Sequence, residues 1–228
     1  MLKIRKDIVF EKPENRIREY CEIEIYYGYD DKHTVDNVLT KDDICNANHL
    51  HAMIDRYNPN ESANLLKNTT KIGQVLEVVP RVDIFALTNE EWSFAKTAIE
   101  KLFAEFLSVD GIGLAKTTKI LHLKRPNLFP VLDRLVMMFL LNCDISETSK
   151  SRQIELAIEA LENTRECLIK QEDAFRHLVA DLEDLPIALT PVRIFDILCW
   201  STEKWDILRK LTAPHGIPSK SLLRPSAL

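Results

Sequence analysis

Glycine is scarce here, with 5 among 228 residues. Two of them stand one residue apart, at Gly111 and Gly113, which marks a place where the backbone needs them. Cysteine is equally sparse. The 5 cysteines are odd in number and far apart, and no Cys-x-x-Cys pair occurs. That excludes a disulfide framework, gives no support to a zinc or iron–sulfur site, and fits reduced thiols in a cytoplasmic protein. Long apolar runs are missing too. The longest, Leu135 to Leu141, falls far below the roughly 20 residues a bilayer needs. The opening stretch, Met1 to Asp7, leads into no apolar signal core, so no membrane partner is expected. No P-loop, nucleophile elbow or dinucleotide fingerprint appears, and no cofactor is expected.

What remains is ordinary for a folded protein: 46% hydrophobic and 29% charged residues. The length allows one large domain or two small ones. Net charge is −5, which argues against non-specific nucleic-acid binding by the whole surface. The charge is unevenly placed. Between Gly111 and Arg134 stand Lys116, Lys119, Lys124, Arg125 and Arg134 against Asp133. Between Asp144 and Asp184 stand 11 acidic and 5 basic residues. Such an acidic stretch is either a solvated helix face or a surface for a basic protein partner.

Residues 1–39 carry strand signals. Cys21 to Tyr27 alternates with period two, and Lys3 to Phe10 is its expected partner, with the turn at Lys12–Asn15. Helical patterns follow over residues 40–212. Thr40 and Thr88 each precede an acid by three residues, the spacing of a capping box. Behind Thr88, apolar residues from Trp92 to Phe106 recur at three and four, predicting a helix over 89–108. Leu65 to Val79 suggests one helix with Gly73 inside it. Residues 151–182 read as one or two helices, and Thr190-Pro191 opens another. Residues 213–228 read as a mobile tail.

Gly111-Ile112-Gly113 joins the helix over 89–108 to a helix starting near Leu114. The first amides of that second helix lack intrahelical partners and face the positive end of its dipole. An anion is welcome there, with Lys116 and Lys119 close by. Two readings fit: a plain turn with a glycine C-cap, or a grip on nucleic-acid phosphates. Lys124 and Arg125 either compensate a helix C-terminus or, with Arg134, widen a positive surface. Asp133 falls in the first turn of a helix over 130–142. It either favours that N-terminus or holds a carboxylate at the mouth of a cleft. His122 either contacts phosphate or packs. His49 and His51, two apart, point in different directions on a helix, so no metal site follows, and Asp30-Asp31-x-His33 reads first as a polar loop and second as a metal ligand.

Gly111, Gly113 and Asp133 resemble the helix-hairpin-helix DNA glycosylases, in which an aspartate follows a glycine hairpin by about twenty residues. The likeness covers Thr88 to Asn142. It implies a mainly α, glycosylase-like helical fold with a small N-terminal β element, a duplex DNA partner, and an aspartate that assists cleavage of the base–sugar bond. Asp110 stands where that family has proline, and Ala115 where its bifunctional members have a nucleophilic lysine, so monofunctional base release is what the resemblance implies. Residues 118–134, and the Arg193-x-x-Asp196-x-x-x-Trp200 helix, also resemble a bacterial domain family of unknown function, over most of the chain after residue 40. Arg193 and Asp196 pair at the edge of a docked helix, or face the cleft of Asp133. Three function classes follow: a phosphate-gripping nucleic-acid binder, a glycosylase using Asp133, and an interaction module through residues 144–184.

Overall fold

Capping residues set several of the element boundaries. A computed structural model describes residues 1–5, 8–23, 28–34, 36–145 and 148–212. The chain is mainly helical, with a small two-stranded sheet at its N-terminus. Strands β1 (Leu2–Arg5) and β2 (Ile8–Phe10) pair antiparallel, Leu2 opposite Phe10. Apart from Leu2, the sheet therefore lies inside the segment expected to be one strand. The expected turn at Lys12–Asn15 instead opens helix α1 (Pro13–Cys21), with Pro13 as its first residue. Glu24 to Tyr27 of the expected partner strand fall outside the described residues, as do residues 213–228.

Helices α2 (Lys41–His49) and α5 (Asn89–Leu107) both open on the capping boxes read from Thr40 and Thr88. Between them lie α3 (Glu61–Lys67) and α4 (Thr69–Val78), two helices where one was expected. Gly73 sits in α4 because another backbone passes it: a Cβ there would lie 2.8 Å from the carbonyl oxygen of Asn37. After α5 come the glycine bend and α6 (Leu114–Lys124). Next are α7 (Arg134–Leu141), α8 (Lys150–Lys170), α9 (Glu172–Ala180) and α10 (Pro191–Thr212).

Helix α6 is the central element. Every residue from Thr117 to Arg125 is buried, and α2, α5 and α8 pack around it. α7 lies along α10, and α1 also packs on α10. Leu2, Ile17, Tyr20, Tyr29 and Leu39 join the same apolar core as the later helices, so residues 1–39 do not form a core of their own. The sheet is tied to the end of α8, where the Lys3 amide donates to Gln171 Oε1 at 2.7 Å. Among the described residues no helix is long and apolar enough to cross a membrane.

Candidate active site

Asp133 is the N-cap of α7, not a residue of its first turn. Its Oδ1 accepts from the Val136 amide at 3.0 Å. The strand-like approach to it, Pro130 to Leu132, is pinned from two sides. The Val131 amide donates to Asp196 Oδ2 at 2.7 Å, and the Leu132 amide donates to Thr118 Oγ1 at 3.0 Å. The carboxylate of Asp133 is thereby fixed at the edge of a partly open cavity of about 230 Å³. α6 contributes Lys119 to this cavity, and α10 contributes Arg193, Asp196, Ile197 and Trp200. Tyr20 from α1, Leu50 and His51 after α2, and Val131 and Val136 complete the lining.

The charges in this cavity are strained by burial. Burial raises the Asp133 pKa above the usual carboxylate value, against the Val136 amide and Lys119. Burial lowers that of the Lys119 ammonium, against Asp133. Lys119 Nζ donates to the His51 carbonyl at 3.3 Å. Arg193 is buried between two carboxylates. Its Nε donates to Asp30 Oδ1 at 2.6 Å and its Nη1 to Asp196 Oδ1 at 2.5 Å. Tyr20 OH donates to Asp30 Oδ2 at 2.9 Å and also accepts from Arg193 Nη2. Burial outweighs the Arg193 charge and the Val131 amide at Asp196, whose pKa is pushed up to about 7. A carboxyl group that gains and loses its proton near neutrality, a destabilised ammonium and a half-buried carboxylate thus share one space. Converging perturbed groups of this kind are a signature of functional sites.

One rim of the cavity is built on unusual backbone. His51, Met53 and Asp55 have φ of 55°, 56° and 68°, a left-handed conformation that costs non-glycine residues about 1–2 kcal/mol each. Asn48 holds the segment by both ends of its amide, accepting from the Ile54 amide at 2.8 Å and donating to the Ile54 carbonyl at 3.3 Å.

The glycine bend lies apart from this cavity, and a carboxylate of the chain packs against it. Glu61, buried, packs its carboxylate on Gly111, where a Cβ would come within 2.1 Å of Oε1. Gly111 has φ +78°, which only glycine adopts freely. Glu61 Oε2 accepts from Lys116 Nζ at 2.6 Å and from the Asp55 amide at 3.0 Å. On the other side, Gln153 Oε1 accepts from the Leu114 amide at 3.2 Å. Gly113 is the N-cap of α6, and Ile112 is buried in the core.

The other cations expected at a phosphate grip are also engaged within the chain. Lys119 is 7% exposed and points into the Asp133 cavity. Lys124, 1% exposed, lies between Asp36 (2.6 Å) and Asp43 (2.8 Å). Arg125 is buried against the carbonyls of Leu76, Lys124 and Asp36. Neither widens a positive surface, because α6 runs through the core. Arg134 alone among the expected cations is well exposed, and it pairs with Asp144 at 2.8 Å. His122 packs: it is fully buried, stacked on Tyr29, with Nδ1 2.7 Å from the Phe129 carbonyl.

The family is decided by how much of the chain one family covers. A family of unknown function, DUF6308, matches residues 8–203. The chain belongs to that family. No curated protein and no solved structure matches it. All the lining residues of the Asp133 cavity fall inside the DUF6308 segment. Of them, Lys119, Asp133, Arg193 and Asp196 were visible as candidates in the sequence. Tyr20 was not, nor was Thr118, which holds the Leu132 amide, and His51 was weighed only beside His49. Asp30 carried a weak signal in its polar stretch, but nothing in the sequence ties Thr118 to a loop fourteen residues away.

Proposed function

We propose that this protein cleaves N-glycosidic bonds, with the Asp133 cavity receiving a nucleobase. The observation that carries the reading is the Asp133 carboxylate, fixed as a helix N-cap and opening into a cavity shared with Lys119 and Asp196. A cavity of about 230 Å³ is below the roughly 300–1,000 Å³ of sites for drug-sized ligands. It suits a single ring system. Tyr20 and Trp200, set edge to face with ring centroids 6.1 Å apart, offer an aromatic wall to that ring.

In the reaction the bond from sugar C1′ to the base nitrogen breaks and water adds at C1′. The base leaves with its electron pair and takes up a proton. Positive charge develops on the sugar as the bond breaks, and the ionised Asp133 stabilises it. Asp196, titrating near neutrality, and Lys119 set the protonation of the cavity. The resemblance of Gly111, Gly113 and Asp133 to the glycosylases supports the choice of bond and of DNA as polymer.

The test is base release from duplex oligonucleotides carrying deaminated, alkylated, oxidised or mispaired bases, with free nucleosides run in parallel. The wild type should release at least one base, and Asp133→Asn should lower that rate roughly 100-fold or more. Release by neither protein, or equal release by both, overturns the proposal.

A second reading, DNA binding without chemistry, is favoured by one observation: the Glu61 carboxylate rests against Gly111, held by Lys116 and the Asp55 amide, so a negative charge already sits beside the bend. On this reading Glu61 gives way to a phosphate. Glu61→Gln then tightens binding of duplex DNA, and the affinity depends steeply on salt. Unchanged affinity contradicts it.

A further inference from the structure

A second cavity, of about 260 Å³, opens between the end of α4 and the end of α6. It shares no lining residue with the Asp133 cavity. Pro80, Val82, Pro126 and Leu128 give it apolar walls, and Arg81 and Arg125 give it a cationic end. Both guanidiniums reach for one neutral oxygen. Arg81 Nη2 donates to Asn37 Oδ1 at 3.0 Å, and Arg125 Nη2 donates to the same atom at 2.5 Å. Among the described residues neither arginine forms an ion pair, and Asp36, the carboxylate whose charge acts on Arg125, pairs with Lys124.

Part of Arg125 is explained by packing. It donates to Leu76 O and Lys124 O in the last turns of α4 and α6, where a cation is favoured. That does not account for Arg81 beside it, since two like charges repel. Nor does it account for Arg125 Nε, which is buried without an acceptor. The strain shows in the Arg125 pKa, lowered to about 10 by burial and by the Arg81 charge against the opposing charge of Asp36. Among the described residues no carboxylate lines the cavity itself.

We propose that this cavity binds a small organic oxyanion, a phosphate or carboxylate on a compact apolar body, gripped by the exposed Arg81 with the Arg125 charge behind it, and seated against Pro80, Val82 and Leu128. Guanidinium forks match both oxyanions, and an apolar wall with a few polar groups is the usual makeup of a small-molecule site.

The full chain is titrated calorimetrically with phenyl phosphate, benzoate and inorganic phosphate, in a buffer free of other oxyanions. One of the two aromatic probes should bind saturably and more tightly than inorganic phosphate. Whichever binds better tells an organic phosphate from an organic acid. Arg81→Gln, at an exposed position, should weaken that binding at least about tenfold. Asn37→Asp keeps the shared acceptor and places a negative charge between the two guanidiniums. It should raise the thermal midpoint in oxyanion-free buffer and weaken the probe. No saturable binding, equal affinity in Arg81→Gln, inorganic phosphate binding as tightly as both aromatic probes, or a lowered midpoint in Asn37→Asp would each overturn the proposal. None of these readouts uses Asp133, so they succeed or fail independently of base release.

Discussion

Gly111 and Gly113 look equivalent in the sequence, and the structure separates them. Gly111 is left-handed, with a buried carboxylate where its Cβ would be; Gly113 has φ −109° and only an ordinary contact, 3.8 Å, to Gln153. Glu61 cannot swing clear of an added methyl without leaving Lys116 and the Asp55 amide. Gly111→Ala should therefore cost about 3 kcal/mol or more, from backbone strain and a broken buried pair, and Gly113→Ala under about 1 kcal/mol; urea unfolding measures both. Asp196 gives a second residue-level test. Its folded pKa of about 7 lies above that of an unfolded aspartate, near 3.9. The folded state therefore binds more protons in between, and its contribution to stability is full below about pH 4 and lost as pH rises through 7. The stability of the wild type relative to Asp196→Asn should fall between about pH 4 and pH 7. A flat difference would mean that the carboxyl titrates normally.

Helix α6 shows what was legible at the scale of elements. Its start after the glycines, the capping boxes at Thr40 and Thr88, and the proline at the head of α10 were readable because each is a local signal within four residues. The burial of α6 was not. Lysines at 116, 119 and 124 read as phosphate contacts or a helix-end cation, yet Glu61 and Asp36, which neutralise two of them, lie 55 and 88 residues away. The sheet was misread for the opposite reason: alternation near Cys21 outweighed Pro13, which opens α1. The burial of α6 makes a prediction. Lys124→Met leaves Asp36 and Asp43 facing each other without their cation, and Asp43 is fully buried in the α2 cap. The expected loss is about 3–5 kcal/mol in chemical unfolding. A variant as stable as the wild type would mean that Lys124 serves the surface.

For the whole molecule, one core joins the N-terminal segment to the helices, and the Asp133 cavity is assembled from four of them and the turn after α2. Behind it, His33 and His122 meet at 5.4 Å between ring centroids, both with Nε2 buried and unpartnered. Burial lowers both pKa values below the ordinary histidine value. Here the unfolded chain binds the extra protons, so this contribution is present above about pH 6.5 and is lost as pH falls toward the folded values. It opposes Asp196 across the same window. His122→Asn, which keeps a donor for the Phe129 carbonyl, should lose less stability than the wild type between about pH 7 and pH 5 in thermal unfolding. On the proposed reading, the carboxylate capping α7 acts on a base–sugar bond in the cavity beside it. The most direct measurement is single-turnover base release by wild type and Asp133→Asn, with binding of the same oligonucleotide measured alongside. The account predicts a rate lowered roughly 100-fold or more with affinity nearly unchanged. Equal rates for the two proteins would contradict it.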